Sequence, residues 1–201
     1  MRWVVVMWCV ATLAQAGSGF AAEVAAGSQS PPEGTYEYVV VATSRTSTME
    51  REMNEWAEDA YRFQGVMGGE TAFGGSELVA VMMRGAGASG RFAYRVLATS
   101  QTSTMQDEMT DAGSEGYDYR GQTVYSSLFG GDEVVVIMEQ DNDAPSMTFE
   151  YLLLATSQTS TLDTELNRAG QRGFELVGVS VGETTFGGEE VVVITRRATA
   201  R

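Results

Sequence analysis

The chain contains the same 49-residue unit three times, and this repetition limits its possible folds more than any other feature. The copies span residues 36–84, 92–140 and 149–197, and they align with one another without a gap. A unit of this size that forms one sheet and one helix leaves a sheet face uncovered when it stands alone. Neighbouring copies are therefore expected to cover one another within a single body.

Each copy has the pattern of a strand, a helix and a hairpin. The opening segment is rich in aromatic and β-branched residues, as in "YEYVVVAT", which predicts a strand. Apolar residues at Met49, Met53 and Trp56 then recur at helical spacing. A Gly-Gly pair follows and predicts a hairpin, whose last strand is the most apolar and therefore central. The predicted fold is α+β, with three βαββ repeats, each a three-stranded sheet of order 1-3-2 with one helix. We expect the repeats to pack as a pseudo-threefold single body.

Helix boundaries are predicted from hydroxyl residues and glycines. A serine stands three residues before Glu, Gln or Asp in each copy, as in a capping box: Ser47, Ser103 and Ser160. Gly116 and Gly173 are expected to end their helices in the left-handed conformation. Ala60 stands at this position in the first copy, where keeping that conformation costs roughly 1 kcal/mol.

The N-terminal region has the pattern of a secretory signal peptide. Arg2 is followed by an apolar run and then by Ala14 and Ala16, which predicts a signal peptide over residues 1–16, with cleavage as late as residue 22 as an alternative. Residues 17–35 are rich in Ala, Gly and Ser and are expected to be a flexible leader. The protein is therefore predicted to be exported from a bacterial cell to the periplasm or beyond, with no membrane span after signal removal.

Composition excludes several classes of function. The chain has 27 acidic and 13 basic residues and a formal charge of −14, which argues against nucleic acid as a partner. It has no His, and its one Cys, Cys9, lies within the predicted signal peptide. Catalytic triads built on His and metal sites built on His or Cys are therefore excluded, and neither a cofactor nor a metal site is predicted.

The third copy resembles the bacterial family called domain of unknown function 4177, whose small units have the order βαββ. The resemblance rests on a helix exit followed by an aromatic strand start, at Leu166, Asn167, Gly170, Gly173, Phe174, Glu175, Leu176, Val177 and Arg196. The second copy keeps Gly113 and Gly116, and the first keeps Asn54. The resemblance implies the fold and no activity.

One candidate site is the hydroxyl-rich turn that precedes each helix. Its proposed ligand-binding residues are Ser44, Thr46, Ser100, Thr102, Ser157 and Thr159. Hydroxyls and free N–H groups at a helix N-terminus can hold an anion or a sugar hydroxyl. The alternative is that these residues only form the turn and cap the helix.

The other candidates are aromatic and acidic. Phe73, Phe129 and Phe186 stand at the predicted hairpin tips, where they can grip a protein or a glycan or instead pack back on the sheet. Three carboxylates recur on the helices and can bind a cation or flank the apolar stripe: Glu52, Glu108 and Glu165.

These observations favour an exported, non-enzymatic binding or structural protein with an unidentified protein or glycan partner, and they leave an oligomer open. One alternative is a hydrolase or lyase at a cleft between repeats, because glycosidase-type chemistry needs only two carboxylates. Another is a subunit of a cell-envelope assembly, which would have an unpaired sheet edge or an apolar patch.

Overall fold

The computed structural model of the chain describes residues 31–71, 75–127, 131–183 and 189–200. The first repeat comprises β1 (Tyr36–Thr43), α1 (Thr46–Glu58), β2 (Arg62–Thr71) and β3 (Gly75–Gly85). The second comprises β4 (Phe92–Thr99), α2 (Thr102–Glu115), β5 (Asp118–Ser127) and β6 (Gly131–Asp141). The third comprises β7 (Met147–Thr156), α3 (Thr159–Gln171), β8 (Glu175–Glu183) and β9 (Glu189–Ala200).

Each repeat forms its own three-stranded sheet with the last strand in the centre. The orders are β1-β3-β2, β4-β6-β5 and β7-β9-β8, and every pair is antiparallel. The predicted α+β fold of three βαββ units with strand order 1-3-2 is therefore confirmed. The central strands are the most apolar because they have neighbours on both edges.

The same irregularity recurs in the second strand of each sheet. The register shifts by one residue between Phe63 and Gly65, and again at the equivalent positions of the other repeats. The residues that have no partner on the central strand are Gln64, Arg120 and Val177. Such a bulge bends the strand and increases its twist.

The helices begin earlier than the capping-box pattern predicts. The N-cap residues are Arg45, Gln101 and Gln158, none of which makes a side-chain cap, so the prediction of Ser47, Ser103 and Ser160 as N-caps is wrong. A threonine takes over the turn instead: the hydroxyls of Thr43, Thr99 and Thr156 accept the N–H two residues ahead at 3.2, 3.1 and 3.1 Å. This hydroxyl turn fixes the chain direction as it enters the helix.

The left-handed position after each helix is kept in all three repeats. Gly116 and Gly173 have φ values of 104° and 82°, and Ala60 has a φ of 68°. The first repeat therefore accepts the backbone strain at Ala60 that its sequence indicated.

The repeats pack in sequence order through a helix of one repeat and the first strand of the next. Helix α1 lies on β4, and α2 lies on β7. The apolar clusters cross these contacts, since Met49 and Met53 pack with Tyr94 in one cluster, and Met105 and Met109 pack with Tyr151 in the other. Within the described part of the chain, no comparable contact joins α3 to β1, so the expected pseudo-threefold body is an open row and not a closed ring.

No helix among the described residues is long and apolar enough to cross a lipid bilayer.

Candidate interaction surfaces

Side chains of α1 bind the outer edge of β4 as a neighbouring strand would. The side-chain amide of Asn54 donates to the carbonyl oxygen of Tyr94 at 2.9 Å, and its oxygen accepts the Tyr94 N–H at 2.9 Å. The Glu50 carboxylate accepts the N–H of Val96, also at 2.9 Å. These bonds satisfy backbone groups of an edge strand that would otherwise be buried without partners.

The second repeat interface uses the same backbone positions with different side chains. Gln106 on α2 accepts the N–H of Leu153 on β7 at 3.0 Å. Gly113 on α2 lies so close to the carbonyl oxygen of Phe149 that a Cβ atom would overlap it. The absence of a side chain at Gly113 therefore allows the helix to approach the strand.

A tyrosine on the first strand of the second repeat reaches back into the first repeat. The Tyr94 hydroxyl accepts the N–H of Phe63 at 2.9 Å and donates to the Glu139 carboxylate at 2.8 Å. Glu139 is buried and also accepts from Arg62 at 2.8 Å, with Arg120 at 3.4 Å. A cation of the first repeat thus binds an anion of the second.

The second interface repeats this arrangement with the charges reversed. The Tyr151 hydroxyl accepts the N–H of Tyr119 at 2.8 Å and donates to the Asp118 carboxylate at 3.3 Å. Asp118 is also ion-paired with Arg196, which binds Glu175 of its own repeat with a second bond at 3.1 Å. Here the anion belongs to the earlier repeat and the cation to the later one.

The two tyrosine hydroxyls stay protonated well into the alkaline range. Burial is the largest cause that raises the pKa of Tyr94, and the adjacent Glu139 carboxylate raises it further. Burial and then Asp118 raise the pKa of Tyr151 in the same way. Burial alone raises the pKa of Tyr119 to about 12. The hydroxyls of Tyr94 and Tyr151 therefore act as hydrogen-bonding groups of the interfaces.

The second strands of consecutive repeats pack through a glycine. A Cβ at Gly121 would lie 3.4 Å from the Phe63 ring, and one at Gly178 would lie 2.6 Å from the Tyr119 hydroxyl oxygen. An aromatic side chain of one repeat therefore lies over a bare backbone position of the next. In the first repeat the equivalent glycine, Gly65, has nothing within 4 Å of such a Cβ.

The two ends of the row carry the same surfaces without a neighbouring repeat. We call the end formed by β1, Gly65 and Met67 the head face. It corresponds to the part of the second and third repeats that the preceding repeat covers. We call the end formed by Asp163, Asn167 and Gly170 of α3, with β8, the tail face. It corresponds to the part of the first and second repeats that covers the next one.

Exposure separates these ends sharply from the interior. Tyr38 and Val40 of the head face are 56% and 54% exposed. Their equivalents in the second repeat, Tyr94 and Val96, are 2% and 9% exposed. Seven large apolar side chains of the described residues are more than half exposed, and all of them lie on the two faces. They are Tyr36, Tyr38, Val40 and Met67 on the head and Leu176, Val179 and Val181 on the tail.

The hydroxyl turns lie where the sequence places them, each at the start of its own helix. Ser44, Ser100 and Ser157 are exposed, and Thr46 and Thr102 are half-buried. The side chain of Thr159 lies outside the described residues. No hydrogen bond among the described residues joins one turn to another. The carbonyl oxygen of Ser44 accepts a bond from Tyr125 of the second repeat at 3.2 Å, which gives the first turn a packing role. Ligand binding at these turns stays a prediction.

The structure describes the other candidate residues only in part. Phe73, Phe129 and Phe186 lie outside the described residues. Glu52 makes a 3.5 Å ion pair with Arg51 on its own helix, and no group of three metal-ligating side chains occurs within the described ranges.

A cleft of 370 Å³ lies beside the first interface. Its lining includes Arg62, Asp118, Arg120, Glu139 and Asp141, which come from the first two repeats. Glu139 is its buried carboxylate, and it is already bonded to two arginines and a tyrosine. Both oxygens of this carboxylate therefore already take part in hydrogen bonds or ion pairs.

No family model, curated protein or solved structure matches this chain. The resemblance to domain of unknown function 4177 therefore stays a prediction from the sequence.

Sequence reasoning missed the residues that join the repeats. It treated Glu50 and Gln106 as capping partners of their own helices, although they bind the strand of the next repeat. A signal was present in the aligned copies. Arg62 of the first copy is opposite in charge to Glu139 of the second, and Asp118 of the second copy is opposite in charge to Arg196 of the third. Comparing each copy with the following one reveals these pairs.

Proposed function

We propose that this chain is an exported, non-enzymatic structural protein that acts by binding partners through its head and tail faces. The observation that carries the proposal is the placement of all seven exposed large apolar side chains of the described residues on these two ends. Contiguous exposed apolar surface marks a site of protein interaction. Among the described residues no strand pairs with the outer edge of β1, whose backbone groups a partner can bind.

Export rests on the N-terminal pattern of residues 1–16 and places the protein in the periplasm or outside the cell. There the structure would serve as a subunit of an envelope assembly. The competing carboxylate hydrolase needs an acid and a base that are free to exchange protons. The bonds of Glu139 to Arg62, Arg120 and Tyr94 do not favour that chemistry.

Site-specific crosslinking in producing bacterial cells tests this proposal. A photoreactive amino acid replaces Val40 on the head face or Val181 on the tail face, and the matched control carries it at Thr161, an exposed position of α3 outside the tail face. We expect protein adducts from both faces and none from the control. Absence of adducts at both faces would overturn the proposal.

The intact mass of the exported protein tests the predicted signal peptide separately. Cleavage after Ala16 is expected, with a cut as late as residue 22 as the alternative. Retention of the full N-terminus on cytoplasmic protein would contradict export.

A further inference from the structure

We propose that the partner is a second copy of this chain, bound head to tail, so that β1 of one copy lies on α3 of another. This inference rests on the proposed function, because it takes the two faces as binding surfaces and names what binds them. The two interior interfaces provide the template, since each already joins a tail-type surface to a head-type surface. The third contact would repeat that relation between two molecules.

The helix of the tail face is set to bind a strand edge. The Asn167 amide donates to the carbonyl oxygen of Asp163 at 2.7 Å, just as the Asn54 amide donates to that of Glu50 at 2.8 Å. Asn54 additionally binds both backbone groups of Tyr94, whereas Asn167 is exposed. The equivalent strand residue is Tyr38, on the free edge of β1. Docking would pair the Asn167 amide with the Tyr38 backbone.

The tail face also has a glycine at the helix position where a strand packs closely in the interior. Gly170 is equivalent to Gly113, which contacts the Phe149 carbonyl, but a Cβ at Gly170 would meet nothing within 4 Å. The equivalent of Phe149 on the head face is Tyr36, which is 60% exposed. Gly170 therefore leaves room for the Tyr36 backbone of another copy.

Apolar groups match in the same register. Leu176 of the tail is equivalent to Phe63 and Tyr119, which lie over glycines of the next repeat. On the head face the corresponding glycine is Gly65, whose surface is open. The Tyr38 hydroxyl would take the place of the Tyr94 hydroxyl and accept the Leu176 N–H. Three positions of the head would thus face three of the tail: Tyr36, Tyr38 and Gly65 against Gly170, Asn167 and Leu176.

The two ends of the row do not carry the pair of opposite charges that joins the repeats in the interior. On the tail face Glu175 is already bonded to Arg196 of its own repeat, and on the central strand β3 Met83 stands where the other repeats have Glu139 and Arg196. The contact would therefore be apolar and hydrogen-bonded, without an ion pair. Two copies of charge −14 also repel one another. Added salt should screen this repulsion and strengthen the association.

A head-to-tail contact is heterologous, so it leaves one free face at each end of a dimer. Further copies can add until the row closes or is capped. A head-to-head dimer would instead use the same face on both copies and stop at two.

Sedimentation of the purified protein over a concentration series, at low and high salt, tests the inference. The head variant is Val40→Asp, the tail variant is Gly170→Glu, and the control is Thr161→Asp; each adds one negative charge at an exposed or open position. We expect the wild type and the control to form oligomers that grow with concentration. Each face variant should weaken self-association by about 30-fold or more, as for a hot-spot residue.

The mixture of the two face variants is the decisive sample. Val40→Asp retains an intact tail and Gly170→Glu retains an intact head, so together they should form a one-to-one dimer and grow no further. Circular dichroism checks that both variants are folded, and Met67→Glu replaces Val40→Asp if that variant unfolds.

Several results would overturn the inference. These are a wild type that stays monomeric at every concentration and salt level, a Gly170→Glu variant that still self-associates, and a mixture that stays monomeric. If the purified protein is monomeric but the crosslinks in cells capture a different protein, the self-association fails and the proposed function stands. If both experiments are negative, both proposals fail.

Discussion

At the first repeat interface a cation of the earlier repeat, Arg62, meets an anion of the later one, Glu139, and at the second an anion, Asp118, meets a cation, Arg196. The surrounding geometry is the same, because a tyrosine hydroxyl accepts a backbone N–H and donates to the carboxylate in both places. The backbone relation between repeats is therefore independent of the sign of the charges. The charges instead determine which surfaces fit each other.

Exchanging the charges of the first interface should have the largest effect. Arg62→Asp places a carboxylate beside the buried Glu139 and removes a partner whose own side chain is 42% exposed, so we expect a cost of about 3 kcal/mol. Adding Glu139→Arg restores the order of charges at the second interface, with Arg120 as an extra cation where the third repeat has Val177, and should recover part of the lost unfolding free energy. Urea unfolding of the two single variants and the double variant measures this coupling. If the loss of unfolding free energy in the double variant equals the sum of the losses in the two single variants, the signs of the charges do not determine which surfaces fit each other.

A pair of glycines separates an occupied helix surface from an open one. Gly113→Ala puts a methyl group against the Phe149 carbonyl and should cost about 1–3 kcal/mol. Gly170→Ala has open space and should stabilise the monomer by up to about 1 kcal/mol, since alanine favours the helix. Thermal unfolding at low protein concentration compares them directly. Equal effects at the two positions would contradict the packing difference.

Two asparagines make the same comparison for strand binding. Asn54→Ala leaves the backbone N–H and carbonyl of Tyr94 without their partners and should cost about 1–2 kcal/mol. Asn167→Ala removes an exposed side chain and should change the stability of the monomer by less than about 0.5 kcal/mol. Chemical unfolding of both variants, below the concentration of self-association, is the measurement. A large loss at Asn167 in the monomer would mean that it has a role within its own repeat.

Alkaline pH should weaken both interfaces by a smaller amount. The folded pKa values of Tyr94 and Tyr151 lie above the ordinary value of 10.0, so the folded state holds these protons more tightly than the unfolded state. Their contribution is complete below pH 10 and is lost as the pH rises above it. At about pH 10.5 each tyrosine should lose roughly 0.8 kcal/mol. Unfolding measured from pH 8 upward checks this expectation, and Tyr94→Phe should flatten the decline by one tyrosine's share.

The fold of each repeat was readable from the sequence because its determinants are local. Helical spacing of Met49 and Met53 and the apolar final strand depend on neighbours within one copy, and both are buried as predicted. The capping prediction failed because the pattern of Ser47 and Glu50 fits two structures, and tertiary contact with Val96 selects the second. The open row was also beyond the reach of the pattern, since identical repeats are compatible with a ring or a row. The exposure of Tyr38 distinguishes a row from a ring. The sequence of β1 alone does not show whether another repeat covers this side chain.

The alternating charge also restricts what can happen to the middle repeat during evolution. If unequal recombination removed the second repeat, Arg62 would face Arg196, and two cations would meet at the surviving interface. If it duplicated the second repeat, Asp118 would face Glu139, and two anions would meet. Both products replace an ion pair with two like charges and should therefore be less stable. The signs of the two ion pairs therefore disfavour loss or duplication of the middle repeat, although the three units share one fold.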